Sequence, residues 1–487
     1  MATTGDVGSA LSAVLTHPYV RADIEERVAY RNVLYNLLSR DIRSIGGVVM
    51  GDYIKLGRYA TARQVIAGGR AEAQDVRLPG TTTMAFATLY PKQIMGSIGW
   101  TQERLEFARD EAGFRALVTD SFLRHVDGVK ALLNAIWFGD GTGRLGRVSA
   151  YNASTRVVTL DNSQANYGWF AADQMFEGML IEIHTVADIV GTAAWTRKAI
   201  EVVVDQLNKR ASATTATFRI TARTDSGGNA IAGSAIDPDG KGVPANSDNV
   251  FIAGAVVLTS DHKFSSWGLP MGIHGIVDDA QDAGAEFTES GNAYNHCWHG
   301  VTVQGLDRSA AANSMFKARV SRGGDRGGTD GTALTTDMAD VDLELDYLFQ
   351  INDGPDPDRL LAFCNAKTKR WWSATAKNEQ NGFQNIDDGR VVPGLILNGF
   401  RSEAAGGKVI PVITIPTCAD GTVIFLDAAR CAFWDVFPLG PFMYGGKTQF
   451  ESPGTRNLTH ERWSRYFGNL GFERADTSLR IEDIDIS

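Results

Sequence analysis

The period of the apolar positions changes several times along the chain, and each change marks an element. Residues 1–20 are mostly small and polar, the pattern of an arm that orders against a partner. Ile24, Val28, Tyr35 and Leu38 then fall on one helical face, with Leu34 and Leu37 beside them and Arg27, Arg31 and Arg40 between, so Asp23 to Arg40 is predicted as an amphipathic helix. From Gly46 to Ile98 the pattern becomes strand-like. Val48, Val49, Met50, Tyr53 and Ile54 form one arm, and Phe86, Thr88, Leu89, Tyr90 and Ile94 the other. RYATARQVIAGGRAEAQDVRLPGTTT, between them, is too polar for a core and too long for a tight hairpin, which predicts a two-stranded excursion projecting from the body.

The helical period is clearest from Glu103 to Phe138. Phe114, Leu117, Val118, Phe122, Val126, Val129, Leu133, Ile136 and Trp137 keep it; Asp110 and Glu111 suit a helix start, and Gly139, Gly141 and Gly143 follow its end. Residues 145–260 read as β-rich: RVSAYNASTRVVTL alternates on both sides of a polar turn, then come MLIEI, AIEVVV, ATFRIT and a loop from Asp237. Residues 270–436 mix helices and strands. Met338, Val341, Leu345 and Leu348 share a helix face, RLLAFC and TVIFLD read as buried strands, and a helix runs through Trp371 and Trp372. No internal repeat or low-complexity tract interrupts this order.

Composition narrows the classes. The 487 residues are 44% hydrophobic and 21% charged, enough for one large core or two to three domains. A net charge of −10 opposes a surface that grips nucleic acid by its phosphates, and permits one that encloses DNA without adhering to it. Cys297, Cys364, Cys418 and Cys431 have no paired spacing and read as reduced core thiols. The amino terminus lacks a basic region followed by an apolar block, and the longest apolar run, Val250 to Leu258, falls short of the roughly 20 residues that span a bilayer. The expectation is a protein assembled in the cytoplasm, with no membrane partner.

Four segments mimic catalytic motifs. GDGTGRLG, from Gly139, closes a helix and opens a strand, the reverse of a dinucleotide loop, and reads as a turn. GPFMYGGKT, from Gly440, has one residue too many before its lysine for a phosphate loop, and Pro453 spoils the helix that should follow. HERWS, from His460, lacks the second histidine of a zinc-protease helix. His296, Cys297 and His299 are a dense cluster of possible metal ligands without a second pair nearby; a metal-dependent hydrolase built on them is the competing enzyme reading. Asp278, Asp279 and Asp282 read as a solvated loop. No catalytic constellation and no cofactor or metal site is predicted.

The order of the elements carries a resemblance. FATLYPKQIMGSI before the long helix, NAIWFGDGTGRLG at its end, GLPMGIHGIVDD from Gly268, RLLAFCNAKTKRWWSA, and GLILNGFRSEAAGGKVIPVITIPTCADGTVIFLD stand in an order that resembles the major capsid proteins of tailed bacteriophages, whose fold is usually called the Hong Kong 97 phage fold. The resemblance implies an α+β phage major capsid fold. Its parts would be an N-terminal arm and helix (1–45), an extended β loop over a neighbouring subunit (46–98), a spine helix and peripheral domain with a β-rich insertion (99–260), an axial domain (261–436) and a C-terminal return to the peripheral domain (437–487). It implies a non-enzymatic virion protein that self-assembles through hexamers and pentamers into an icosahedral head around double-stranded DNA. A portal protein and a decorating protein are further implied partners. No long charged helical segment precedes the arm, so a separate scaffolding protein is expected and cleavage of a large leader is not. An encapsulin-like compartment shell is the alternative with the same fold.

Arg58, Arg63, Arg70 and Arg77 outnumber Glu72 and Asp75 in the excursion, although the whole chain is acidic. They are the candidate inter-subunit contacts. From Leu56 through Pro91 no lysine is present, so no isopeptide link from the excursion is expected. Arg70→Glu with Arg77→Glu should impair shell assembly, scored by sedimentation, while circular dichroism of the free subunit stays unchanged; an undiminished shell yield would refute the contact.

Overall fold

The computed structural model describes residues 33–42, 54–60, 84–101, 125, 128–129, 131–139, 141–161, 175–185, 195–208, 211, 215–223, 233–238, 240, 242–258, 260, 264–279, 302–303, 306–308, 311–321, 338–350, 354–379, 386–387, 390–391, 399–418, 421–441, 449–452, 459–482 and 484. Within these, strand exceeds helix.

The first of the described elements are helix α1 (Val33–Leu37) and strand β1 (Ser39–Ile42). The predicted helix therefore gives way before Arg40, which is paired with Phe433 in a parallel ladder. Sheet hydrogen bonds override the continuing helical period there. β2 (Ile54–Ala60) and β3 (Met84–Leu89) pair antiparallel from Ile54 opposite Leu89 to Ala60 opposite Met84, as the excursion requires. β4 (Lys92–Thr101) follows after two residues. Residues 131–137 form helix α2, and residues 125, 128 and 129 are also helical. Leu133, Ile136, Trp137 and Phe138 are buried. Gly141 and Gly143 then turn the chain at φ of 88° and 70°, conformations that strongly favour glycine.

The β-rich region is a closed barrel. Its strands are β5 (Arg144–Asn152), β6 (Val157–Asp161), β7 (Leu180–Thr185), β8 (Thr196–Asn208), β9 (Thr215–Thr221) and β10 (Asn249–Ile252). They are hydrogen-bonded in the order β8-β7-β10-β5-β6-β9, and β9 returns to β8, antiparallel throughout. Closure covers every edge of these six strands except where Ala235–Ile236 add to β8. Val148, Val158, Leu160, Val202, Val204, Phe218 and Ile220 are buried among the residues of the common core. Two bulges bend β8: the ladder slips around Glu201 and Gln206, which hold φ of 46° and 51°. The barrel's entrance and exit touch. Ile252 donates its amide to the Gly143 carbonyl at 2.8 Å, and a Cβ on Gly272 would collide with the Gly139 carbonyl.

After the barrel come the short helix α3 (Ile273–Ile276), β11 (Arg319–Ser321), α4 (Met338–Phe349), β12 (Leu360–Cys364), α5 (Ala366–Glu379), β13 (Gly399–Arg401), β14 (Val409–Thr414) and β15 (Val423–Asp427). Then β16 (Cys431–Pro441), β17 (Gln449–Ser452), β18 (Thr459–Phe472) and β19 (Leu479–Ile481) complete the order. A mixed sheet runs β11-β19-β15-β12-β14-β13. Its central strands β12 and β15 are apolar at successive positions because both of their faces are covered. Leu360, Ala362, Cys364, Val423 and Phe425 belong to one cluster with Val341, Leu345, Leu348 of α4 and Trp372 of α5. Phe363, Ile424 and Leu426, one residue out of step, belong to the core shared with the barrel and α2.

A second sheet runs β1-β16-β18-β17, with β4 on the other side of β18. The division drawn at 436/437 falls inside β16, and the last segment serves both sheets, through β18 in one and β19 in the other. The helical stretch before α2 lies across β4 and β18. His125 Nε2 and Ser464 Oγ are 2.9 Å apart, and a Cβ on Gly96 would sit 2.8 Å from the His125 ring.

Asp435, buried in β16, accepts hydrogen bonds from Tyr35 of α1 at 2.7 Å and Tyr466 of β18 at 2.9 Å. Trp137 stacks on Tyr35 at 5.2 Å and meets Phe433 at 4.7 Å, so α1, α2 and the sheet share one aromatic knot. Burial, then the neighbouring Asp435 carboxylate, holds the Tyr466 phenol well above its ordinary range. A raised phenol pKa contributes stability below about pH 10, which is lost as pH climbs toward the folded value. Tyr466→Phe should cost about 1–3 kcal/mol in urea unfolding at neutral pH and should flatten the alkaline loss of stability; an unchanged alkaline slope would assign it elsewhere.

Candidate functional site

The buried charges gather where α3, the 306–308 strand and β19 meet. Asp278 and Asp279 are 3% and 4% exposed, so the expectation of a solvated loop is corrected for both. Asp278 lies 3.2 Å from Arg480 and 3.2 Å from Arg308 through its two oxygens. Arg480 donates to the carbonyls of His274 and Val277 at 2.8 and 2.7 Å, and its Nε lies 2.7 Å from Glu482. Arg308 donates to the Gly275 carbonyl at 3.1 Å, and the His274 ring stands 3.8 Å from Glu482. Burial pulls the Arg308 guanidinium down from its ordinary range while Asp278 pushes it back.

The backbone explains the pattern. The turn of α3 and the residue after it direct the carbonyls of His274, Gly275 and Val277 at the two guanidinium groups, which Asp278 then bridges. These carbonyls and carboxylates hold cations that the protein itself supplies, so the cluster acts as a fastener. Sequence reading missed Arg308, Arg480, Glu482 and His274. The available signal was LRIE, from Leu479, where charged residues alternate with apolar ones.

Of the predicted contact residues, Arg58 lies in β2 opposite Phe86. Arg63, Arg70 and Arg77 lie outside the described residues, as do His296, Cys297, His299 and Asp282. The Gly139 segment is a helix-to-strand turn. A Cβ at Gly143 would stand 2.6 Å from Leu269, so backbone and side chains fill the space that a phosphate would need. Gly440 and Pro441 end β16, and the remainder of that motif lies outside the described residues. His460 and Glu461 are in β18, opposite Trp100 and Gly99 of β4, so HERWS is strand. Cys364, Cys418 and Cys431 are free and buried; burial pushes the Cys364 thiol up to about 12 and raises that of Cys431 further. Among the described residues no three His, Cys, Asp or Glu side chains are grouped to hold a metal ion, and no helix is long and apolar enough to cross a membrane.

The outer face of the second sheet carries exposed apolar side chains. Phe437 is 47% exposed, stacks on Phe467 across β16 and β18, and carries the Arg465 guanidinium 4.1 Å above its ring. Met95 of β4, opposite Arg465, is exposed beside them. This gives the second sheet an apolar outer stripe three strands wide.

No family model matches the chain, and no curated protein sequence does. It is similar to solved structures. One is the Cyanophage A-1(L) capsid asymmetric unit, at 11% identity and a TM-score of 0.42, covering 93% of each chain. Another is the capsid of the empty GTA particle, at 10% and 0.37, covering 93% of this chain and 89% of that one. A third is the satellite phage P4 procapsid including size determination (Sid) protein, at 8% and 0.33, covering 100% and 98%.

Arg480→Met should cost about 3–5 kcal/mol in urea unfolding, because it strips a buried partner from Asp278 and Glu482. Arg430→Met, which breaks a more exposed pair with Glu473 at 3.5 Å, should change stability by less than about 1 kcal/mol. Equal losses would mean that the cluster is not the fastener.

Proposed function

We propose that the chain is a shell-forming structural protein, the major capsid protein of a tailed bacteriophage, and that many copies enclose double-stranded DNA in the virion. One observation carries this reading. The antiparallel pair β2–β3 leads directly into β4, which in turn borders β18 of the second sheet. A long pair rooted in a sheet margin, with an apolar stripe open on that sheet's outer face, is matched to neighbours and poorly matched to a solitary subunit. The order of elements described in the sequence analysis supports the same reading. In it the second sheet and the helix crossing it form the peripheral body and the barrel is its insertion. The mixed sheet with α4 and α5 is the axial part, and 46–98 is the loop laid on a neighbour.

Assembly follows from closed symmetry, in which each copy covers what the next exposes. The role needs no cofactor and no catalysis. A separate scaffolding protein sets curvature, a portal protein occupies a vertex, and a decorating protein is compatible with the open stripe.

Co-expressed with the scaffolding protein of its own phage, the chain should form closed shells visible by negative-stain electron microscopy. A strictly monomeric species under those conditions would overturn the reading.

A further inference from the structure

We propose that α4 and α5 are the two halves of a head-to-tail contact, in which the outer face of α4 in one copy seats against the exposed basic start of α5 in the next. The inference rests on the shell reading and names one of its interfaces.

The two helices carry opposite charge. MADVDLELDYLF has Asp340, Asp342, Glu344 and Asp346 and no lysine or arginine; AKTKRWWSATAKNE has Lys367, Lys369, Arg370 and Lys377 against a single acid, Glu379. Asp346 in the last turn of α4 and the cations in the first turn of α5 run against each helix's own dipole, while Asp340 and Lys377 run with it. The two helices also pack against each other within one subunit, which accounts for part of their opposite charge and leaves the outward-facing residues to be explained.

Part of each set is used internally. Asp342 accepts from Ser402 and from the Glu403 amide, Glu344 pairs with Arg319 at 2.8 Å, and Lys369 reaches the Val412 carbonyl at 3.4 Å. The outward face of α4 is left with Leu343 and Tyr347, 53% and 46% exposed, beside exposed Asp346, which accepts a hydrogen bond from Gln350 at 2.8 Å at the solvent edge. The guanidinium of Arg319 lies 4.5 Å over the Tyr347 ring and braces its inner side. On α5, Arg370 is exposed.

Placement decides the symmetry. α4 packs on β19, toward the β11 end of the mixed sheet, and α5 packs on β14, toward the β13 end. Opposite signs toward opposite flanks suit a heterologous contact that repeats around a ring. A two-fold contact through either helix would set acid on acid or base on base.

The test compares full-length wild type, Asp346→Lys, Arg370→Glu and the double variant, each co-expressed with the scaffolding protein. Shell yield is scored by sedimentation and electron microscopy, and folding by circular dichroism. Each single reversal should lower shell yield about tenfold, and the double should recover most of it. The two single variants expressed together should also form even-numbered rings, since each supplies what the other lacks. Single variants that assemble like wild type, or a folded double variant that stays unassembled, would overturn the contact. Wild type failing to assemble would instead overturn the shell reading.

Discussion

A guanidinium that is 2% exposed must have its positive charge answered from within the protein, and the chain answers that of Arg480 from two distant places. Glu482 comes from just past the end of the same strand, two residues on, while Asp278 and the carbonyls around α3 come from some 200 residues earlier. The position of α3 against the mixed sheet is thereby fixed. α3 immediately follows the barrel's exit, so the seam between barrel, α2 and sheet is set by the same contact. An apolar seam of equal area would hold, but it would tolerate sliding. Charges with directional partners do not.

The two sheets solve burial differently. The central strands of the mixed sheet, β12 and β15, are covered on both faces and so are apolar at nearly every step, while β14 near its margin alternates buried and exposed positions. The second sheet is covered on one face by α1, α2 and their aromatic knot, and its other face shows Phe437, Phe467 and Met95. The barrel hides its edges by closing on itself. Among the described residues, exposed apolar side chains lie on the stripe of the second sheet and on the flanks of the mixed sheet.

Much of this was legible from local pattern. LLAFC and VIFLD are long apolar runs because both faces are buried, and Val341, Leu345 and Leu348 lie on the buried side of α4 as their spacing requires. The hairpin through Asn152 follows from its polar turn, where Asn152 accepts from the amides of Ser154 and Thr155. What depends on partners distant in sequence was not legible. AIEVVV gives no sign of the bulge at Glu201 that lets β8 curve into a barrel, and Arg40 looks helical until β16 claims its backbone. Asp278 and Asp279 look like solvated acids in sequence because Arg308 and Arg480, which justify their burial, are far along the chain. The exposed stripe follows from knowing which face of β18 the core occupies.

The contact between the barrel's entrance and exit has a consequence for variation among related chains. Residues 139–143 and 252–272 already touch, so everything between them is a loop closed at its base. Lengthening or replacing such a loop adds only a slowly growing entropic cost and leaves the surrounding packing in place. The site behaves as a socket. A module seated there can be exchanged, for a smaller hairpin or a larger domain, without disturbing the packing of α2 and α3 at its base.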